Sequence, residues 1–179
     1  MPHIEIASDL PGIRGLMSDR PDTAVPLNAL ADALLRGPSP LTRGERELIA
    51  AYVSELNATR FCADTHGAAA AAQLDGGPDL VKAVQNDPDT APVTPLIRAL
   101  LWVAAEVQAE AAPVSDETVA AARAEGATDD HIHDTVLIAA AFCMYNRYVS
   151  GLATAIPAEP GYYEEAGRRI TTHGYAAAV

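Results

Sequence analysis

The sequence predicts an all-α protein built as a compact bundle of several helices. Alanine and leucine dominate its apolar residues, whereas the aromatic residues that favour strands make up only 5% of the chain. Apolar side chains recur with a helical period in segments that glycine and proline separate. With 179 residues, 49% of them hydrophobic, the chain is long enough to bury a substantial core as one domain, residues 1–179.

The first two predicted helices follow an irregular N-terminal lead over residues 1–21. The segment 22–35 keeps its apolar residues near one helical face and ends before a Gly-Pro pair. A second helix begins after Thr42, because Thr42 and Glu45 have the spacing of a capping box. We expect this helix to end near Asn57.

Five further helices are predicted before a C-terminal tail. The third begins at Ala58 or Thr59 and runs to Gln73, and the fourth is short. A strongly amphipathic helix, a helix capped by Ser115 and a long, largely apolar helix follow. The ranges of the last four are 79–86, 94–112, 116–125 and 129–155. We expect seven or eight helices in all.

Two further features of the sequence are its C-terminal tail and a possible internal repeat. Residues 157–179 form a proline-bounded tail, in which Tyr162 and Tyr163 are interpreted as packing residues suited to a neighbouring subunit. Residues 46–57 and 134–152 are weakly similar. This similarity indicates either a duplicated helical unit or shared helix chemistry.

Charge and composition exclude several classes of function. A formal charge of −12 argues against binding to nucleic acid or to an anionic membrane, both of which need clustered Lys and Arg. No apolar run approaches the roughly 20 residues of a membrane-spanning helix. Two cysteines do not make a disulfide framework, and the first residues lack the features of a secretory signal. We therefore predict a soluble, cytoplasmic protein.

The stretch NATRFCADTHG, residues 57–67, carries the candidate chemistry. Cys62 and His66 are four residues apart and share a helical face, so the imidazole can accept the thiol proton. If Thr59 caps the helix, Cys62 lies in the first turn, where the helix dipole lowers a thiol pKa from about 8.5 towards neutrality. Glu47, on the preceding helix, can orient the imidazole.

Each of these residues also has a structural interpretation. Cys62 is small and cysteine is often buried, and His66 and Glu47 can serve as ordinary helix contacts. Cys143 lies in an apolar run and is interpreted as a packing residue. In the same helix, Asn146 and Arg147 either bond across helices or border the Cys62 site and hold a substrate carboxylate.

A metal site near the start of the long helix is not favoured. His131 and His133 lie beside three aspartates, but residues two apart do not share a helix face. We interpret this region as a solvated, acidic helix start, and we predict no metal.

The order Glu47, eleven residues, Thr59, two residues, Cys62, three residues, His66 resembles a known motif. It is similar to Glu, eleven residues, Cys-x-x-Cys, three residues, His in the alkylhydroperoxidase D and carboxymuconolactone decarboxylase family. The peroxidase-related branch is the most similar, and the resemblance extends from about Gly12 to about Ile156.

The resemblance implies an all-helical trimer or hexamer without a metal or an organic cofactor. It implies that Cys62 attacks a peroxide, with His66 and Glu47 as the proton relay, and that an external thiol or a dithiol protein restores it. The family's first cysteine, which resolves the oxidised one by forming a disulfide, is replaced by Thr59.

This replacement leaves several hypotheses. Cys62 can work as a single peroxidatic cysteine, Cys143 can act as an alternative resolving thiol, or the activity has been lost. The favoured function is a thiol-dependent reductase of hydrogen peroxide and alkyl hydroperoxides. The alternatives are a lactone decarboxylase of the carboxymuconolactone type and a catalytically decayed, oligomeric helical protein.

Overall fold

The computed structural model describes residues 2–159 and 161–175, and these form nine α-helices and no β-strand. The all-α prediction is confirmed. The helices are α1 (Ile13–Asp19), α2 (Pro21–Arg36), α3 (Arg43–Leu56), α4 (Arg60–Ala71), α5 (Gly77–Asn86), α6 (Pro95–Ala109), α7 (Asp116–Ala124), α8 (Asp129–Gly151) and α9 (Tyr162–His173).

Two helices lie outside the seven predicted segments. The lead over residues 1–21 was expected to be irregular, but it contains α1, whose Leu16 and Met17 are buried. The tail contains α9, where Tyr162, Ala166 and Ile170 recur every four residues. Charged residues between these positions conceal the short apolar stripe in the sequence.

The predicted helix starts agree with the caps in the structure. Thr42 and Glu45 form the predicted capping box, with Thr42 Oγ1 accepting from the Glu45 N–H and Glu45 Oε2 accepting from the Thr42 N–H. Ser115 Oγ accepts from the backbone N–H of Thr118, as expected of an N-cap. His131 completes a similar box with Thr128, which gives this histidine a structural role.

The core lies between α3, α6 and α8. Helix α3 is buried along most of its length, and α8 packs across α3 and α6. The largest fully buried apolar side chains are Leu35, Leu48, Ile49, Val53, Val84, Leu100, Leu101, Val103, Ile138 and Phe142. Burial of this apolar surface is the main stabilising contribution to the fold.

Helices α3 and α4 form an antiparallel pair joined by the short turn 57–59. Helix α9 packs on α4 at close range, because Gly167 leaves room for the backbone of Ala68. A Cβ at Gly167 would lie 2.8 Å from the carbonyl carbon of Ala68. The tail that was expected to suit a neighbouring subunit thus folds back onto its own chain.

No helix in the described part of the chain is both long and apolar enough to span a bilayer.

Candidate active site

Glu47 and His66 form a buried pair between α3 and α4. Glu47 is only 2% exposed, and its Oε2 lies 2.7 Å from His66 Nδ1. The antiparallel arrangement of the two helices brings these residues together although they are 19 positions apart. The structure therefore unites two of the predicted site residues.

Tyr175 is a third member of this group, and the sequence pattern did not predict it. Its hydroxyl donates to Glu47 Oε1 at 2.6 Å and lies 3.2 Å from His66 Nδ1. The phenol ring is stacked on the imidazole, with the ring centroids 5.9 Å apart. The only available signal was indirect: a buried carboxylate requires more than one donor, and the tail holds several tyrosines.

The hydrogen bonds around Glu47 define the state of the imidazole. Burial, followed by the neighbouring Glu47 carboxylate, raises the pKa of Tyr175 well above its usual range, so the phenol stays a donor. With Tyr175 donating to Oε1, Oε2 is the acceptor for the Nδ1–H of His66. This assignment leaves Nε2 as the proton-accepting nitrogen.

Cys62 occupies the third position of α4 and is 4% exposed. Burial raises the pKa of its thiol to about 11, and a hydrogen bond from Asn146 opposes this shift only in part. The expected fall towards neutrality is therefore wrong for this state of the protein. Removal of the thiol from water outweighs the helix dipole, and Cys62 rests as a protonated thiol.

Thr59 precedes α4 but does not cap it with its side chain. Its Oγ1 lies 3.0 Å from Ser150 Oγ on α8, and its backbone carbonyl accepts from the Cys62 N–H. The predicted hydroxyl cap is wrong, because the backbone geometry at Thr59 turns the side chain towards α8. Thr59 instead ties the start of α4 to the end of α8.

Cys143 lies on the other side of a polar network from Cys62. Its Sγ accepts a long hydrogen bond of 3.6 Å from Asn57 Nδ2, which also donates to Asn146 Oδ1 at 2.9 Å. Asn146 in turn donates to Ser54 Oγ. Both cysteines are free thiols. Asn146 therefore has the predicted inter-helix role.

A cavity of about 70 Å³ opens beside Cys62 and His66. Its walls are mostly apolar and include Phe61, Phe142 and Ile170. Two arginines, Arg14 from α1 and Arg169 from α9, also line it. Arg147, considered from the sequence as a carboxylate ligand, is exposed instead and donates to the backbone carbonyl of Cys143.

Within residues 2–159 and 161–175, no group of three or more His, Cys, Asp or Glu side chains is arranged to hold a metal ion.

Comparison with known proteins relates this site to solved structures. No family model matches the sequence, and no curated protein is significantly similar to it. An uncharacterized peroxidase-related protein from Silicibacter sp. TM1040 is 29% identical, with a TM-score of 0.76, over 86% of this chain and 78% of its own.

Two further structures are similar. The alkylhydroperoxidase AhpD core of an uncharacterized peroxidase-related protein from Ralstonia eutropha JMP134 is 28% identical, with a TM-score of 0.77, over 90% of this chain and 83% of its own. In sequence and fold, the chain is similar to these peroxidase-related, alkylhydroperoxidase D-like proteins. A protein of unknown function from Agrobacterium tumefaciens shares the fold at 22% identity and a TM-score of 0.69, over 80% of this chain and 97% of its own.

This similarity to peroxidase-related proteins agrees with the helical fold and with the pairing of Glu47 and His66. The chain differs from the family motif at Thr59, where the motif has its first cysteine.

Proposed function

We propose that this protein is a cofactor-free thiol peroxidase that reduces hydrogen peroxide or alkyl hydroperoxides with Cys62. The observation that carries the proposal is the position of Cys62 and His66 on one cavity, with the imidazole fixed by the Glu47 carboxylate. A buried carboxylate, an oriented imidazole and a thiol beside a cavity are the groups that thiol oxidation requires.

The reaction begins with removal of the thiol proton. Because burial raises the pKa of Cys62 to about 11, only a very small fraction of the molecules carries a thiolate at neutral pH. His66 Nε2 accepts the proton as the peroxide arrives, and Glu47 stabilises the resulting imidazolium. In this way the base supplies the thiolate when it is needed, and the resting thiol is protected from random oxidation.

The sulfur then attacks the terminal oxygen of the hydroperoxide. An S–O bond forms, the O–O bond breaks, and the proton held by His66 passes to the departing alkoxide. The products are Cys62 sulfenic acid and an alcohol, or water when the substrate is hydrogen peroxide. One water molecule needs about 10–15 Å³ of cavity space, so the cavity of about 70 Å³ has room for several waters and admits hydrogen peroxide or a short alkyl hydroperoxide.

An external thiol completes the cycle. A first thiol condenses with the sulfenic acid to give a mixed disulfide and water, and a second thiol releases Cys62 and forms the oxidised partner. A low-molecular-weight thiol or a dithiol protein fulfils this role. Cys143 is the alternative resolving thiol within the chain.

Peroxide consumption with an excess of small thiol tests this function. We expect Cys62→Ser to reduce consumption to the background rate of the thiol alone, whereas Cys143→Ser retains most of the activity. Loss of turnover in Cys143→Ser, with Cys62 oxidation intact, would assign Cys143 as the resolving thiol. Equal consumption by Cys62→Ser and the native protein would contradict the proposal.

The raised thiol pKa and the presence of Thr59 are the observations that favour a catalytically decayed protein as a second candidate. For that candidate, neither cysteine replacement changes peroxide consumption.

A further inference from the structure

Three buried hydrogen-bond donors beside the cavity of Cys62 have no acceptor among the described residues. Arg14 Nε, Asn28 Nδ2 and the Tyr162 hydroxyl are buried, and none has a hydrogen-bond partner among the described residues. All three residues line the cavity. Buried donors without partners are rare in folded proteins, because each loses its bonds to water.

These donors come from three different helices. Arg14 lies on α1, Asn28 on α2, and Tyr162 on α9. Asn28 is only 5% exposed, so its amide has little access to water. Convergence of three elements on one cavity indicates a formed polar site rather than a chance surface arrangement.

A second arginine strengthens the positive character of the site. Arg169 also lines the cavity, and it makes no hydrogen bond or ion pair with any other described residue. Burial lowers the pKa of Arg169, and the neighbouring charge of Arg14 lowers it further. Glu165 on α9 acts on the charge of Arg169 more weakly than Arg14 does, and it pairs with Arg168, so neither Arg14 nor Arg169 forms an ion pair with a carboxylate of the described residues.

Two half-buried guanidinium groups repel each other, and this cost is removed when an anion binds between them. Guanidinium groups match the planar, two-oxygen geometry of a carboxylate especially well. The rest of the cavity is apolar, with Ile13, Met17 and Phe142 on its walls. The ligand that fits both features is a carboxylate on a short apolar chain.

We infer that the cavity beside Cys62 binds the carboxylate of a small organic acid through Arg14, Arg169 and Asn28. On the basis of the proposed function, the preferred peroxide is then an organic hydroperoxide that carries such a carboxylate. The arginines hold the acid group, and the apolar walls direct the remainder of the molecule towards Cys62.

Calorimetric titration with butyrate and its uncharged isostere butyramide tests the anion site without any redox chemistry. Both the native protein and Cys62→Ser are titrated, since the second cannot react with a peroxide. We expect butyrate to bind at least tenfold more tightly than butyramide to both proteins. Equal binding of the two ligands, or no binding of butyrate, would overturn the inference.

Arginine variants locate the site. Arg14→Gln and Arg169→Gln should each weaken butyrate binding at least tenfold and leave butyramide binding unchanged, which also shows that the cavity is intact. Arg14→Lys, which keeps the charge, should lose less affinity than Arg14→Gln. The matched control is Arg168→Gln, since Arg168 is the exposed neighbour of Arg169 on α9 and pairs with Glu165. If Arg169→Gln and Arg168→Gln bind butyrate equally, the assignment is wrong.

The same proteins separate this inference from the proposed function. Arginine-dependent butyrate binding in a protein that consumes no hydroperoxide supports the anion site and removes the peroxidase proposal. Peroxide consumption that butyrate does not inhibit, in a protein without selective butyrate binding, overturns the anion site alone.

Discussion

At the scale of single residues, the protonation of Cys62 determines how the site reacts. Burial keeps the thiol neutral, whereas the Glu47–His66 pair beside the same cavity provides a base. The reactivity of the resting cysteine and its reactivity towards a bound peroxide are therefore separate quantities. The reactivity of the resting thiol depends on bulk pH, whereas its reactivity towards a bound peroxide depends on the proton relay.

The pH dependence of alkylation tests the resting state of Cys62. Because the pKa of the thiol is raised to about 11, the thiolate fraction grows about tenfold per pH unit below that value. We expect the rate of Cys62 alkylation by iodoacetamide to rise from pH 7 to pH 10 without levelling off. In the urea-unfolded chain the rate should level off near pH 9. A plateau below pH 8 in the folded protein would show that the thiolate is already formed.

Replacing Tyr175 by Phe tests the part played by its hydroxyl. The change leaves Glu47 Oε1 buried without its 2.6 Å donor. We expect a loss of about 1–3 kcal/mol in unfolding free energy. Oxidation of Cys62 should slow about tenfold, because the hydroxyl positions the carboxylate that orients His66.

The matched control for the Tyr175→Phe variant is Tyr52→Phe. Tyr52 is also buried, but it lies on α3 outside the cavity. This variant should oxidise at the native rate. An equal slowing in both variants would argue against a positioning role for Tyr175.

At the scale of helices, the start of α4 determines which redox cycle is available. Thr59 precedes Cys62 by three residues and contacts Ser150 on α8. A threonine at this position keeps the two helices joined but cannot form a disulfide.

Thr59→Cys should restore an intramolecular cycle. We expect one equivalent of hydroperoxide to remove two hydrogens from this variant, whereas the native chain gains one oxygen; intact mass spectrometry distinguishes the two. Thr59→Ser, which keeps the hydroxyl, serves as the control and should behave like the native protein. If Thr59→Cys also only gains oxygen, the two positions are too far apart for a disulfide.

The contact between α9 and α4 supports the site from outside, because the chain after α9 carries Tyr175. Gly167→Ala should lower the unfolding free energy by about 1–3 kcal/mol, since the new methyl group would meet the backbone of Ala68. Cys62 oxidation should slow as well, because α9 and Tyr175 shift. Urea unfolding and peroxide trapping measure the two effects.

Gly151→Ala is the corresponding control at the end of α8. A Cβ at Gly151 meets nothing within 4 Å. The unfolding free energy of Gly151→Ala should change by less than about 1 kcal/mol. Any change should be an increase, because alanine restricts the unfolded chain. An equally large loss at Gly151 would show that the α9–α4 contact has no special importance.

At the scale of the whole molecule, the sequence was sufficient for the features that local chemistry determines. The helical period predicted the seven central helices, and the capping spacing predicted the start of α3. The relation of Glu47 to His66 followed from the family resemblance and an antiparallel pair of helices. The helices and their caps depend on residues close together in the chain, whereas the Glu47–His66 pair was expected only through the resemblance.

Features that depend on tertiary packing were not predictable. Tyr175 reaches Glu47 across 128 residues of sequence, and no local period marks it. The raised pKa of Cys62 reflects how completely the neighbouring helices exclude water. Arg14 and Arg169 come from opposite ends of the chain, so their proximity appears only after α1 and α9 have folded against the bundle.

The trimer or hexamer implied by the family resemblance stays a prediction. Light scattering on the full chain measures it directly.

The rate at which Cys62 forms a sulfenic acid measures whether the Glu47–His66 pair activates this thiol. The native protein and Glu47→Gln are exposed to a limiting amount of hydroperoxide in the presence of a sulfenic-acid trap, with Cys143 as the internal reference. We predict that Cys62 is labelled much faster than Cys143 in the native protein and that Glu47→Gln slows it at least about 100-fold. Equal labelling of the two cysteines, or an unchanged rate in Glu47→Gln, would show that Cys62 is not a thiol activated by the Glu47–His66 pair.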